Sequence, residues 1–269
     1  DIPEKWILSR LSKTIDSYNY QLERFHFNEA AKILYEFTWS DFCDWYVEIA
    51  KLKFYGNDLE GADIARAVSI SCLQTILKLL HPFTPFITEE LWHNFKPRNS
   101  GDLIISEWPK PLFYHNDRVE SNMNKLKDII TSIRSVRSRM NIPNSKKIKL
   151  IVKCNDNKKD FILGHLELFK NFTKTKELSI SSSNKKPINS ATTVSLGIEF
   201  YIPLGGLVDL DKEKKRMLKR LNEIERLLNS INGKLSNKNF LDRAPKDVIL
   251  KERNNHKKLT EEDEKLRAN

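Results

Sequence analysis

Tyr35-Glu36-Phe37-Thr38-Trp39-Ser40-Asp41-Phe42-Cys43-Asp44-Trp45-Tyr46-Val47-Glu48 packs six aromatic side chains into fourteen residues. Trp39, Phe42 and Tyr46, with Ile49 beyond, recur at three- and four-residue spacing, which places them on one helical stripe. That stripe predicts a helix with its aromatic face in a core. Trp45 and Val47 point off the stripe, and Asp44 with Glu48 forms an acidic i, i+4 pair. Lys51 and Lys53 follow one turn later.

The flanking segments repeat the helical period. Upstream, Ile7, Leu11, Ile15, Tyr18, Leu22 and Phe25 share a face, and Pro3 suits a first turn. Asn28 is a candidate cap for the helix that carries the aromatic stretch. Downstream, Asn57 and Gly61 interrupt the pattern. Ile64, Val68, Cys72, Leu73, Ile76 and Leu80 then point inward on a third helix. Thr84 and Pro85 read as the cap and first residue of a fourth, with Glu89 and Glu90 near its positive end. Four amphipathic helices with short links predict an antiparallel bundle over residues 1–116.

Residues 117–206 change character. Met123, Leu126, Ile130, Ile133 and Val136 continue a helix to about 139, which Asn141-Ile142-Pro143-Asn144 breaks. Ile148, Leu150 and Val152 then alternate with period two, Phe161 to Phe172 reads as a helix, and Leu178 to Ser181 and part of Val194 to Ile202 alternate again. A small α/β element is expected there, ending in the turn Leu204-Gly205-Gly206. Residues 207–269 are heavily charged. Met217, Leu221, Ile224, Leu228, Ile231 and Leu235 follow a 4-3-4-3-4 spacing, a coiled-coil seam. Gly233 and Asn237-Lys238-Asn239 are expected to end that helix. Pro245 opens another, with Ile249, His256, Leu259 and Leu266 as a weaker seam. The short link between them predicts an antiparallel coiled-coil hairpin. The expected fold class is thus mainly α, with three parts.

Charge and cysteines narrow the function classes. The 269 residues carry 46 Lys and Arg against 36 Asp and Glu, a net charge of +10. Such a balance favours a polyanionic partner, nucleic acid first. Cys43, Cys72 and Cys154 are too few and too scattered for a disulfide framework or a zinc site. A reducing, cytoplasmic setting is expected. No apolar run approaches the ~20 residues of a membrane helix, so no membrane partner is expected. The chain opens at Asp1 without methionine, which reads as a piece of a longer protein.

Three groups are candidate RNA contacts. Trp45 and Val47 could meet unstacked bases, with Lys51 and Lys53 on nearby phosphates. Arg134, Arg137 and Arg139 precede Lys146, Lys147 and Lys149, six cations in sixteen residues with no acid among them. From Leu207 on there are 17 Lys and Arg against 12 Asp and Glu, a net +5 of the total +10. Lys215, Arg216, Lys219 and Arg220 crowd the first helix of that hairpin. The six histidines form no catalytic or metal-binding pattern, and no Gly-rich phosphate loop occurs. No catalytic residue, metal ligand or cofactor site is assigned.

The aromatic stretch resembles the LYEFxWxEFCDWYxE helix of the valyl-tRNA synthetases. Trp6-Ile7-Leu8-Ser9-Arg10-Leu11 precedes it. Leu79-Leu80-His81-Pro82-Phe83-Thr84-Pro85-Phe86-Ile87-Thr88-Glu89-Glu90-Leu91-Trp92, Glu107-Trp108-Pro109 and Leu204-Gly205-Gly206-Leu207-Val208-Asp209-Leu210 follow in the family's order. Lys234-Leu235-Ser236-Asn237 and Ala244-Pro245 extend the match through the hairpin. The resemblance implies an anticodon-binding bundle and an arm that reaches the outer corner of tRNA(Val). The parent enzyme would join valine to that tRNA using ATP and Mg²⁺. Its HIGH-like and KMSKS-like signatures are absent from this chain, so the catalytic and editing domains would be partners within the same polypeptide. Two rivals stand beside this reading. One is an isoleucyl- or leucyl-tRNA synthetase piece, which shares the bundle. The other is a non-enzymatic coiled-coil scaffold, which would self-associate where a closed hairpin leaves a monomer.

Overall fold

The structure is a computed structural model that describes residues 1–112, 114–207, 210–237 and 244–267, apart from the side chains of 210–214, 216, 217, 246 and 265. It is mainly helical with one small sheet, and it divides into two compact units, Asp1–Leu126 and Lys127–Asn269. In the first, α1 (Ile2–Leu22), α2 (Phe27–Glu36), a π-helical segment (Phe37–Val47), α3 (Glu48–Phe54), α4 (Leu59–Leu80) and α5 (Pro85–Phe95) form the bundle. Ile7, Leu11, Ile15 and Tyr18 of α1 are almost wholly buried, as their spacing predicts, Leu22 is half-buried, and Trp6 joins the same core. Burying each such side chain stabilises the fold by about 1.5–3 kcal/mol. Tyr18 Oη donates to Leu79 O at 2.6 Å, which satisfies its polar end inside the core. Asp58 caps α4 by accepting from Gly61 N at 3.0 Å, and Thr84 with Pro85 opens α5 as expected.

The aromatic stretch departs from its predicted face. Phe37, Phe42 and Tyr46 are buried, while Trp39 is 57% exposed. The cause is the π-helical backbone, whose i→i+5 bonding adds a residue to each turn. The buried stripe then runs 37, 42, 46, and Trp39 falls outside it, against Tyr35, ring planes 4° apart and centroids 6.5 Å apart. Three smaller expectations also change. Phe25 lies beyond the end of α1 at φ +60 and is exposed. Ile64 faces outward, because α4 meets the core through Ala62, Ala65, Cys72, Ile76 and Leu79. Asn28 is not the cap of α2, which starts at Phe27 after His26.

The long helix α6 (Asp117–Arg139) starts in the first unit and ends in the second. Near its start, Lys13 Nζ sits 2.6 Å from Asp117 and 3.1 Å from Glu120, while Ser9 Oγ donates to Glu120. In the second unit, a four-stranded sheet is ordered β2-β1-β4-β3, from β1 (Ile148–Lys153), β2 (Thr175–Ile180), β3 (Ser190–Ser195) and β4 (Ile198–Pro203). β1 runs parallel to β2 and antiparallel to β4. Two short helices, α7 (Asp156–Leu163) and α8 (Leu166–Thr173), replace the single helix expected from Phe161 to Phe172. The stretch from Val194 to Ile202 is likewise two strands, not one. Leu196 (φ +52) and Gly197 (φ +67) supply the positive φ values that a two-residue hairpin demands.

The C-terminal arm is α9 (Leu210–Ser236) and α10 (Lys246–Arg267). α9 continues through Gly233, so that glycine does not end it, and residues 238–239 lie outside the described residues. Arg220 meets Glu262, and Lys234 meets Glu252, so rising numbers on α9 pair with falling numbers on α10. This register is antiparallel. Ile224 and Ile231 of the predicted seam are buried, and Leu221, Leu228 and Leu235 half-buried; the Met217 side chain lies outside the described residues. Ile224→Asp would place a charge at the driest point of the seam. It is expected to strip hydrogen-exchange protection from α9 and α10 while the bundle keeps its own. Unchanged protection in α9 would contradict the seam. The arm also has an acid limit. Arg220 holds the Glu262 carboxyl below its ordinary 4.5. The pair's contribution is complete above the unfolded carboxylate value and is lost as pH falls through the lower folded value. Arm helicity is therefore expected to drop slightly on acidification below 4.5, slightly because both side chains are partly exposed.

Candidate nucleic-acid interface

The three groups of candidate RNA contacts fare differently. In the bundle, Trp45 and Val47 are half-buried. Lys51 is exposed and pairs with Glu48 at 2.5 Å. Lys53 is withdrawn from the phosphate role expected for it. Its Nζ lies 2.6 Å from Asp1 and 2.7 Å from the buried Glu4, and its side chain is only 18% exposed. An amine already shared by two carboxylates, one of them desolvated, has little left to offer a polyanion.

At the end of α6 the largest correction falls on Arg137. It is 4% exposed and its guanidinium donates to three backbone carbonyls: Thr173 O at 3.0 Å, Pro143 O at 2.9 Å and Lys146 O at 2.8 Å. Burial lowers its pKa from 12.5. Arg137 therefore ties the end of α8 to the loop that leads into β1, and it does not face solvent as a phosphate ligand must. Arginine's planar fork donates from two separate nitrogens here, Nη1 to Thr173 O and Nη2 to Pro143 O and Lys146 O, whereas a lysine would have to gather all three carbonyls around one nitrogen. Arg139 is half-buried, and desolvation lowers its pKa too. Arg134 and Lys147 are exposed, and Arg134 Nε donates to Phe172 O at 3.1 Å. Lys146 is exposed as well, with Nζ 3.1 Å from Gly206 O and 3.0 Å from Leu207 O. It fastens the turn at Gly206, whose φ of +73 needs glycine.

In the arm, Lys215 and Lys219 are exposed, and the Arg216 side chain lies outside the described residues. Arg220 is committed elsewhere: Nε and Nη2 grip both Glu262 oxygens at 2.9 and 3.0 Å, and Nη1 meets Glu223 at 2.8 Å. These contacts raise its pKa. Arg220 is thus a clasp of the hairpin, and a phosphate would have to compete with Glu262 and Glu223 for it. The opposite helix carries further exposed cations that sequence reasoning did not single out. Arg253, Lys257 and Lys258 of α10 are exposed and make no ion pair among the described residues, and neither does Arg226 of α9. The i, i+4 spacing of Arg253 and Lys257 was the available signal.

Cys72 is buried and its thiol is pushed up to about 12, far from nucleophilic use. One group of possible ligands, Glu89, His93 and Asp102, brings three donor atoms within 4.8 Å of one another on the surface. His93 Nε2 lies 3.6 Å from Glu89 and 3.7 Å from Asp102, so a protonated imidazole would pair with both carboxylates. No helix among the described residues is long and apolar enough to cross a membrane.

Comparison with known proteins agrees with this division of parts. Residues 4–152 match the model of the anticodon-binding domain of tRNA ligase, and residues 209–269 that of the valyl tRNA synthetase tRNA binding arm. The chain is 35% identical over 268 residues to valine–tRNA ligase of Enterococcus faecalis (strain ATCC 700802 / V583), covering 99% of this chain and 30% of that protein. It is 37% identical over 253 residues to valine–tRNA ligase of Carboxydothermus hydrogenoformans (strain ATCC BAA-161 / DSM 6008 / Z-2901), covering 94% of this chain and 29% of that protein. The chain thus spans about 30% of the length of the curated relatives it matches. With the helical bundle, the antiparallel arm and these matches together, the chain belongs to the family of tRNA-ligase anticodon-binding domains, here joined to a tRNA-binding arm of the valyl-tRNA synthetase type.

Proposed function

We propose that this chain is the tRNA-binding portion of a valine–tRNA ligase. The observation that carries the reading is the order of the two family matches, bundle first and arm second, on a fold with those two parts. The bundle holds the anticodon stem-loop of tRNA(Val), and the arm holds the outer corner of the same molecule. The complete enzyme uses ATP and Mg²⁺ to activate valine on domains that this chain does not contain. RNA binding energy gathered here places the acceptor end at that distant site. The setting is cytoplasmic and the chain is a monomer. The arm supports the valyl assignment over an isoleucyl or leucyl one.

A test uses anticodon stem-loops rather than whole tRNA. The chain is expected to bind the stem-loop of tRNA(Val) more tightly than the same hairpin with an isoleucine or leucine anticodon. Equal affinity for all three would reject the valyl assignment, although not tRNA binding as such. Pyrophosphate exchange dependent on valine should stay at background for this chain alone.

One observation favours the scaffold reading. Leu218, Leu227 and Leu250 of the arm are 50%, 42% and 60% exposed, and they could form a self-association face. Sedimentation separates the two. A monomer at all concentrations supports the hairpin, and a dimer abolished by removing residues 209–269 supports the scaffold.

A further inference from the structure

Neither family match covers residues 153–208, which contribute Phe172 and Lys174 to a cleft whose other lining residues lie inside the anticodon-binding match. This segment carries eight lysines against five acids. Where α6 and α8 both end, the second unit has a concave cleft of about 760 Å³. Its eight lining residues include three cations, Arg134, Arg137 and Lys174, and no acid. Phe172 forms an apolar wall, with the Arg134 guanidinium 5.2 Å from its ring centroid. Asn141 and Asn144 add amide groups from the loop before β1.

We propose that this cleft is a third tRNA contact, one that seats a phosphodiester of the RNA backbone. The proposal rests on the reading of the chain as a tRNA binder and adds a site to it. Its chemistry is set by the lining. Arg137 is spent on three carbonyls, yet its charge remains below the floor and makes the potential positive. Lys174 and Arg134 are both exposed and line the same cleft. An anion between them gains two charge-assisted partners without meeting a carboxylate. Arg137 also takes up the carbonyl at the end of α8, together with Arg134 on Phe172 O, and so blunts the negative end of that helix toward the cleft.

Lys174 is the informative residue. It is the C-cap of α8 at φ +55, a left-handed position where glycine or asparagine is the usual occupant. A lysine there accepts a less favourable backbone and sets a cation at the mouth of the cleft. Asn141, at φ +49, faces the same cleft with a side chain that tolerates this conformation. A free nucleotide or inorganic phosphate shares the anionic chemistry. RNA is the occupant favoured by the surroundings: Lys147 on the loop before β1 and Lys176 on β2 are exposed besides Lys174, and several cations suit a chain of phosphates better than a single free anion.

The test measures binding of intact tRNA(Val) to the chain and to two variants across a salt series. Lys174→Asn keeps a residue suited to the left-handed backbone and removes the charge. Lys174→Glu reverses it. Affinity should fall about fivefold for the first and more than about tenfold for the second, as loss of one charge-assisted contact implies. The salt slope should flatten by about 0.7–0.9, one phosphate's share. Tryptic mapping after photocrosslinking to 4-thiouridine-substituted tRNA should place a crosslink on the peptide with Phe172. Inorganic phosphate or adenosine monophosphate at millimolar concentration should neither raise the melting temperature nor displace tRNA. If the variants bind tRNA like the parent chain, with the same slope and no crosslink at Phe172, the cleft is not an RNA site although the chain still binds tRNA. Phosphate or nucleotide binding lost on Lys174→Glu, with tRNA affinity unaltered, would also overturn the proposal, in favour of a small-anion site. If the parent chain binds no tRNA at all, the reading beneath the proposal fails with it.

Discussion

An Arg137→Ala variant is expected to lose about 3–5 kcal/mol of stability in the second unit, because hydrogen bonds to a charged donor contribute roughly 1.5–3 kcal/mol each and are not additive. The substitution deletes all three at once and leaves the carbonyls of Thr173, Pro143 and Lys146 without their donor. It also empties the space of a large side chain that is itself 4% exposed. Arg137→Lys should recover little, because one ammonium nitrogen cannot sit where both Nη1 and Nη2 meet carbonyls of separate segments. Hydrogen exchange is the suitable measurement: amides of β1 and β2 should lose protection while α1 to α4 keep theirs. The alternative, in which Arg137 is a phosphate ligand, predicts the reverse pattern: unchanged stability and weakened RNA binding. Normal protection in β1 would refute the structural role.

The second large effect concerns salt. With the exposed cations spread over bundle, junction and arm, at least four phosphates should be neutralised, so log affinity should fall against log salt with a slope steeper than about −3. Arg253→Ala with Lys257→Ala should flatten that slope by about two phosphates' share, roughly 1.4–1.8. Arg220→Ala should act differently. It breaks the bidentate clasp on Glu262, so its effect on RNA binding should track the loss of arm helicity. That contrast separates a residue that meets RNA from one that holds the arm in shape.

Much of this fold was legible because it depends on local period. The α1 stripe and the α9 seam follow from side-chain spacing alone, and Thr84-Pro85 marks a helix start by backbone chemistry. The aromatic stretch was not, because a π-helical backbone changes which residues share a face, and nothing in the spacing of Phe37, Trp39 and Phe42 announces it. The break between α7 and α8 at Gly164 also escaped a reading that followed apolar spacing across it. The candidate site was harder still. A run of arginines and lysines reports charge but not burial. Arg137 lies three residues after Arg134, and only the fold turns one into a buried tie and leaves the other at a cleft. The ion pairs of Arg220 and Lys53 escaped for a related reason. Their acidic partners Glu262 and Glu4 lie 42 and 49 residues away in sequence. Lys174 carried no signal, since its position at the end of α8 and its left-handed backbone are visible only in three dimensions.

The central claim is that this chain binds tRNA through distributed phosphate contacts with preference for the valine acceptor. Fluorescence anisotropy of labelled tRNA(Val), titrated with the intact chain from about 50 to 200 mM salt, tests it most directly. The account predicts a linear decline of log affinity with log salt, steeper than about −3, and weaker binding of a non-cognate tRNA at every salt concentration. Absence of binding at low salt, or an affinity that salt leaves unchanged, would contradict it.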